Sequence, residues 1–185
     1  MAFNENVNPK AKTERFKIYI DVGNSDLTPT WELQGRGVGS WTVETGGDGV
    51  NKKTDVLGYV DMERGTAQPT QSGISLAIRK GSALAEMLFD AWFSGDFSKL
   101  DSVKILQKFE IKDGATTGTC LARQQNGCMI EITNFAGEAG GYLNFDITLH
   151  YSNEIITGTM PIVDGSTIEF TPDSDDEEEE EDTNL

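Results

Sequence analysis

The residue types that most often carry out chemistry are rare in this chain. It has a single histidine, His150, and two cysteines, Cys120 and Cys128. His150 lies in FDITLHYS, whose alternation predicts a strand residue at a sheet surface, and no second histidine is available to share a metal ion or a catalytic step. The cysteine spacing matches no zinc pattern. We therefore expect no catalytic residue, no metal and no cofactor, and we expect that the protein is not an enzyme.

The two cysteines flank a strong turn signal, the dipeptide Asn126–Gly127. A hairpin turn at this point would allow Cys120 and Cys128 to face each other. The alternative is that both are small buried apolar residues, and Met129 beside Cys128 favours this interpretation. In either case two cysteines are too few for a disulfide scaffold.

Two further patterns resemble binding sites in outline. The glycines Gly35, Gly37 and Gly39 suggest a phosphate loop, but the strand-like segment SWTVET follows them where a phosphate loop needs a helix. The chain also has three tryptophans, Trp31, Trp41 and Trp92, which would form a carbohydrate platform if they were exposed together on one face. Packing in the core or at an interface is the alternative. An enzyme with a dispersed carboxylate pair is a third alternative, which no spacing supports.

Negative charge is concentrated at the end of the chain. The formal net charge is -16, from 31 acidic and 15 basic residues, and residues 173–182 alone carry nine carboxylates. The body is therefore only mildly acidic. Its charge argues against binding nucleic acid through phosphate contacts, although DNA could pass close by without binding. Because PDSDDEEEEEDTNL has no apolar residue before its last position, we predict that residues 173–185 form a disordered acidic tail.

The chain divides into an arm, one domain and the tail. Residues 1–14 are polar and are predicted to form an N-terminal arm. Over residues 15–172, short alternating segments and recurrent turn signals predict a mainly β domain, a sandwich or barrel. Residues 45–70 are polar and punctuated by glycine, which predicts a long loop that projects as a hairpin around TDVLGYV. No segment approaches the roughly 18 apolar residues of a membrane-spanning helix, so we expect no membrane partner.

One helix is predicted over residues 82–94, with Ser82 as its N-cap and Gly95 just past its end. Its polar residues recur at every fourth position and form one thin stripe. A helix that is apolar over most of its circumference is buried on more than one side, so we expect one side to face the sheet and the other to meet another subunit. The predicted contact residues between subunits are Met87, Phe89, Trp92 and Phe93 of the helix and Asp55, Leu57 and Tyr59 of the projecting loop.

Together these segments resemble the major tail protein, or tail tube protein, of long-tailed (siphovirus-type) bacteriophages. The resemblance rests on the polar arm, the loop region TDVLGYVDMERGTAQPTQSGISLAI, the helix segment GSALAEMLFDAWFSG and the closing segment GTMPIVDGSTIEFTP. It covers about residues 10–172. It implies a β-sandwich or barrel of the phage tail tube type, with one flanking α-helix and a long projecting hairpin loop. The acidic tail is a departure from the family pattern.

The resemblance also implies a function. Members of the family are structural subunits that assemble into hexameric rings, and the rings stack into the tail tube, the conduit for DNA ejection. The implied partners are further copies of the chain, the tape-measure, tail terminator and distal tail or baseplate proteins, and viral DNA that passes through the lumen without specific binding. The implied location is the virion tail, with the host cytoplasm as the place of assembly. The alternative function is that of a carbohydrate-binding or adhesive β-sandwich domain.

Overall fold

The structure is a computed structural model that describes residues 15–23, 29–34, 42–44, 50–54, 60–64, 69–114, 117–137, 139–163 and 167–173. The predicted arm, residues 174–185 of the predicted tail, Trp41 and the three glycines before it lie outside this part of the chain. The described part is mainly β, as the sequence predicts. Its strands are β1 (Phe16–Asp21), β2 (Trp31–Gln34), β3 (Thr42–Glu44), β4 (Val50–Thr54), β5 (Val60–Arg64), β6 (Thr70–Ala77), β7 (Val103–Asp113), β8 (Thr119–Gly137), β9 (Leu143–His150), β10 (Glu154–Pro161) and β11 (Thr171–Pro172). The helix α1 spans Ala83–Ser94.

Nine of these strands form one antiparallel sheet that curls into a half-barrel. Its strand order is β2-β1-β7-β8-β9-β6-β3, and β10 pairs with both β8 and β11. The strands β9 and β10 lie end to end along one side of β8. Met129 of β8 pairs with His150 of β9, and the same register continues where Asn126 of β8 pairs with Glu154 of β10. The sheet therefore has two halves joined along β8. The first half contains β1, β2, β7, β10 and β11, and the second contains β3, β6 and β9.

The long strand β8 corrects the predicted hairpin at Asn126–Gly127. Gly127 has a φ of 66° but lies inside β8, where the register with β7 shifts. A positive φ is open to glycine at little cost in a β-bulge as well as in a turn, and bulges bend a strand. The same dipeptide therefore marks the place where the two halves of the sheet meet. Cys120 and Cys128 consequently lie on one strand, both buried and neither in a disulfide, so the alternative interpretation of buried apolar residues is the right one.

The apolar residues form two clusters on the two faces of the first half-sheet, as the alternation of strand side chains requires. The larger cluster fills the inside of the curl and combines residues of both half-sheets with α1, including Ile20, Ile105, Phe145 and Leu88. The smaller lies on the outer face around Tyr19, and the segment after β10 covers it with partly buried residues such as Ile168 and Phe170. The curled sheet is thus buried on both faces at its centre.

The helix begins and ends where the sequence predicts. Ser82 is the N-cap, and its hydroxyl accepts a hydrogen bond from the backbone N–H of Ala85 at 3.2 Å. Gly95 follows the last turn in a left-handed conformation and donates to the carbonyl of Ala91 at 2.9 Å. Glu32 of β2 completes the N-terminus: one carboxylate oxygen accepts from Ser82 Oγ at 2.6 Å, and the other accepts from the N–H of Leu84 at 2.8 Å. This pairing fixes the start of α1 against an edge strand.

The hairpin of β4 and β5 lies within the segment predicted as a projecting loop. Its two strands pair with each other, with Val50 opposite Arg64 at one end and Thr54 opposite Val60 at the other, and they form a separate two-stranded sheet. The predicted strand character around TDVLGYV falls mostly on residues 55–59, which lie outside the described residues. An isolated two-stranded hairpin is only marginally stable in water. Packing on a further surface would therefore stabilise the hairpin.

The closing segment STIEFTP is predicted as a full strand, but only Thr171–Pro172 pair with β10. The aromatic ring of Phe170 packs against the backbone of Gly158 in β10. A Cβ atom at this glycine would lie 2.2 Å from the carbonyl oxygen of Thr171, so no larger residue fits. The N–H of Asp173 donates to the carbonyl of Thr157 at 2.9 Å. Residue 173, predicted as the first of the tail, is therefore bonded to the sheet.

Candidate subunit interface

Exposed aromatic side chains are concentrated on one side of α1. Phe89, Trp92 and Phe93 are 39%, 42% and 77% exposed, and Phe97 just beyond the helix is 45% exposed. The spacing of i, i+3 and i+4 brings the first three onto the same side of the helix. Ring centroids lie 6.0 Å apart for Phe89 and Trp92, and 5.9 Å apart for the stacked pair Phe89 and Phe93. We call Phe89, Trp92 and Phe93 the aromatic patch.

The aromatic patch is continuous with the core. The ring of Trp92 lies 4.5 Å from that of Phe135 in β8, and Phe135 lies 4.9 Å from the fully buried Phe145 in β9. The opposite side of α1 is buried in the inner cluster through Leu84 and Leu88. The patch is therefore anchored on the core through Trp92, while Phe93 projects furthest into solvent. Contiguous exposed aromatic surface on a folded subunit is typical of a protein–protein interface.

The predicted interface residues have different surroundings. Phe89, Trp92 and Phe93 lie together on the surface. Met87 is only 7% exposed and packs in the inner cluster, so its side chain is not available at the subunit surface. The three loop residues Asp55, Leu57 and Tyr59 lie outside the described residues.

The sequence pattern misses two further aromatic residues, the exposed Phe97 just beyond the helix and Phe135, whose ring lies beside that of Trp92. Phe97 lies two residues after Gly95 and stands at the N-cap position of the 3-10 turn at Ser98–Leu100. Phe135 lies more than 40 residues along the chain from Trp92, and only the packing of α1 on β8 brings the rings together.

The histidine and the cysteines, which are the residue types most able to carry out chemistry, contribute to packing and strand contacts. His150 is a half-buried strand residue of β9, as predicted, and its Nε2 atom lies 2.8 Å from Oε2 of Glu131 on the neighbouring strand. Burial raises the pKa of the Cys128 thiol, so it has little thiolate character. In the described part of the chain, no group of three or more His, Cys, Asp or Glu residues is arranged to hold a metal ion. No helix in that part is long and apolar enough to cross a membrane.

The two described tryptophans do not form a common platform. Trp31 packs against the outer cluster, and Trp92 belongs to the aromatic patch beside the inner cluster. Trp41, the third, lies outside the described residues. The arrangement of Trp31 and Trp92 therefore does not favour a carbohydrate platform.

A polar group lies at the junction of the two half-sheets. The hydroxyl of Tyr151, which is 5% exposed, donates to Oε1 of Gln71 at 2.6 Å. The side-chain amide of Gln125 donates to the carbonyl of Ser152 at 2.8 Å. Burial is the main cause that raises the pKa of Tyr151 above its ordinary value of 10.0. The neutral phenol is thus part of the packing between the half-sheets.

We expect the free energy of unfolding to fall as the pH rises above about 10, because the unfolded chain releases the Tyr151 proton at a pH at which the folded protein still holds it. One such proton contributes a slope of at most about 1.4 kcal/mol per pH unit. Denaturant titrations of the wild type and Tyr151→Phe between pH 9 and pH 12 test this. The variant should lose less stability over this range, and equal slopes for the two proteins would contradict the assignment.

No protein-family model matches the chain, and no curated protein matches it with significance. Solved structures do match. The sheath/tube terminator of the PVC extracellular contractile injection system, in its extended state, has a TM-score of 0.52 at 13% identity, over 82% of this chain and 98% of that chain. A chain of the PVC sheath–tube complex has a TM-score of 0.48 at 15% identity, over 82% of this chain and 93% of that chain. The anti-feeding prophage cap, which terminates a tube, has a TM-score of 0.44 at 14% identity, over 84% of this chain and 95% of that chain.

At these identities the likeness concerns the fold. The terminator, with a TM-score above 0.5, is the neighbour on which the fold comparison rests. This comparison agrees with the mainly β fold class with one helix that the sequence predicts, and the structure shows the sheet as a curled half-barrel.

Proposed function

We propose that this chain is a structural subunit of a phage-type tail, and that it assembles with copies of itself into stacked hexameric rings that form the tail tube. The observation that carries the proposal is the aromatic patch, because Phe89, Trp92 and Phe93 project from a helix whose opposite side is already buried in the core. The likeness of the fold to a tube terminator is consistent with this function. On this proposal the protein acts through assembly and not through catalysis.

The strand edges support self-assembly as a second, weaker argument. Among the strands that the structure describes, β2 and β3 each pair with one neighbour and stand at opposite ends of the sheet order. Edge strands present unpaired backbone groups, and closure around a ring is one way to pair them. The further partners proposed from the resemblance are tape-measure, terminator and distal tail or baseplate proteins. The proposed location is the virion tail, with DNA passing through the lumen during ejection.

Measurement of the assembled mass tests the proposal. We expect sedimentation velocity of the purified full-length protein to show a concentration-dependent species with six times the mass of the 20.2 kDa chain, and larger species at higher concentration. A single-chain mass at every concentration, together with binding to glycans, would instead support the carbohydrate-binding alternative.

A further inference from the structure

Four polar side chains meet on the inner side of the curled sheet, beside the junction of its halves. Gln107 of β7 and Arg123 of β8 are register partners, and Nε of Arg123 donates to Oε1 of Gln107. The hydroxyl of Tyr151 donates to Oε1 of Gln71 in β6. The two pairs lie close enough for the guanidinium of Arg123 and the phenol of Tyr151 to interact electrostatically. We call Gln71, Gln107, Arg123 and Tyr151 the donor cluster.

The side-chain N–H groups of both glutamines in the donor cluster have no hydrogen-bond acceptor among the described residues. Gln71 and Gln107 are 0% exposed, and the Nε2 atom of each has no hydrogen-bond partner in the described part of the chain. The orientation of the Gln107 amide is fixed, since the N–H of Arg123 needs the amide oxygen as its acceptor. Buried amide groups without a partner are few in native proteins because desolvating them is costly. The cluster therefore lacks acceptors.

The guanidinium of Arg123 adds a positive charge to the same place. It is half-buried, and its Cζ atom lies 5.5 Å from the ring centre of Phe109. None of the ion pairs between described residues involves Arg123, although the chain has 31 acidic residues and only 15 basic ones. Burial lowers the pKa of Arg123, as expected for a guanidinium that is partly removed from water. Arg123 is thus the partly exposed member of a cluster whose two glutamines are buried.

We propose that the donor cluster is a binding site for a carboxylate group. A carboxylate has no donors and can accept several hydrogen bonds at once, and the planar guanidinium matches its two oxygens. The amide of Gln107, held against Arg123, would supply a further donor. The carboxylate belongs either to an Asp or Glu side chain of a second copy or to a free organic acid. The inference that a second copy supplies the carboxylate rests on the proposed function. The inference that the donor cluster binds a carboxylate does not.

Side-chain NMR with acetate as the probe tests the site. We expect the side-chain amide signals of Gln71 and Gln107 and the Nε–H signal of Arg123 to shift saturably with sodium acetate but not with sodium chloride at equal ionic strength. Arg123→Gln should remove the acetate-dependent shifts of the glutamine signals. Arg79→Gln, which removes the same charge from an exposed arginine, is the matched control and should keep them. If Arg123→Gln does not fold, Arg123→Lys keeps the charge and should still lose most of the response.

Sedimentation of the same variants distinguishes the two sources. If a second copy supplies the carboxylate, Arg123→Gln should associate about tenfold or more weakly than Arg79→Gln. Equal association of the two variants together with acetate binding would assign the site to a free organic acid. Acetate binding by a protein that stays monomeric would overturn the proposed function and leave the site standing. No saturable shift with acetate and equal association of the two variants would overturn the site, whether or not rings form.

Discussion

Phe93→Asp is expected to abolish ring formation while the subunit remains folded. Phe93 is 77% exposed, so the core loses little when the ring is removed, and we expect the stability to change by only about 0.5 kcal/mol. The same change places a charge beside Phe89 and Trp92, at the surface proposed to be buried between subunits. A desolvated charge in such a place removes a contact and adds a penalty. Truncation of a central aromatic contact alone weakens association about thirtyfold or more.

Circular dichroism and sedimentation velocity together check this result. Val163→Asp is the matched control, since Val163 is 82% exposed and follows Ile162, which packs against the outer cluster and not against α1. The control should fold and assemble as the wild type does. If Phe93→Asp forms rings at the same concentration as the control, then the aromatic patch is not the interface.

Replacement of the β4–β5 hairpin by a two-residue turn is expected to leave a folded subunit that does not polymerise. The strands β3 and β6 pair directly at Glu44 and Thr70, so Asn-Gly in place of residues 45–69 would close an ordinary two-residue hairpin. The backbone carbonyl that stands where Pro69 was can still accept from the N–H of Tyr151, as Pro69 does at 2.9 Å. The main sheet therefore keeps its strands, because β4 and β5 pair only with each other in the described part of the chain.

Polymerisation should fail because the hairpin is proposed to pack on a neighbouring subunit, which would stabilise two strands that are marginal alone. Thermal melting followed by electron microscopy of concentrated protein measures both outcomes. Truncation after Asp173 is the control, since it also removes a polar segment but keeps the bond from Asp173 to Thr157. The truncated protein should still assemble. Tubes of normal length from the hairpin replacement would show that residues 45–69 are not needed between subunits.

The features that local chemistry determines were predictable from the sequence. The ends of α1 follow from an N-cap serine and a glycine in the left-handed region, and both are where the sequence places them. The exposed positions of Phe89, Trp92 and Phe93 follow from an apolar helix that can bury only one side against a sheet. The mainly β fold follows from the alternation of apolar and polar residues.

The features that depend on tertiary packing were not predictable. The signal at Asn126–Gly127 is the same for a turn and for a bulge, and the pairing of β8 with strands on both sides decides between them. The donor cluster joins Gln71, Gln107 and Tyr151 from three separate segments, and glutamine in a strand has no pattern that indicates burial. The pairing of only Thr171–Pro172 in the closing segment depends on where Phe170 packs over Gly158.

The central claim is that this chain assembles with copies of itself into rings around a lumen. Electron microscopy of the purified full-length protein at increasing concentration tests it most directly. The account predicts end-on views with sixfold symmetry and an open centre, and side views of stacked rings. Only particles of single-chain size at every concentration would contradict it.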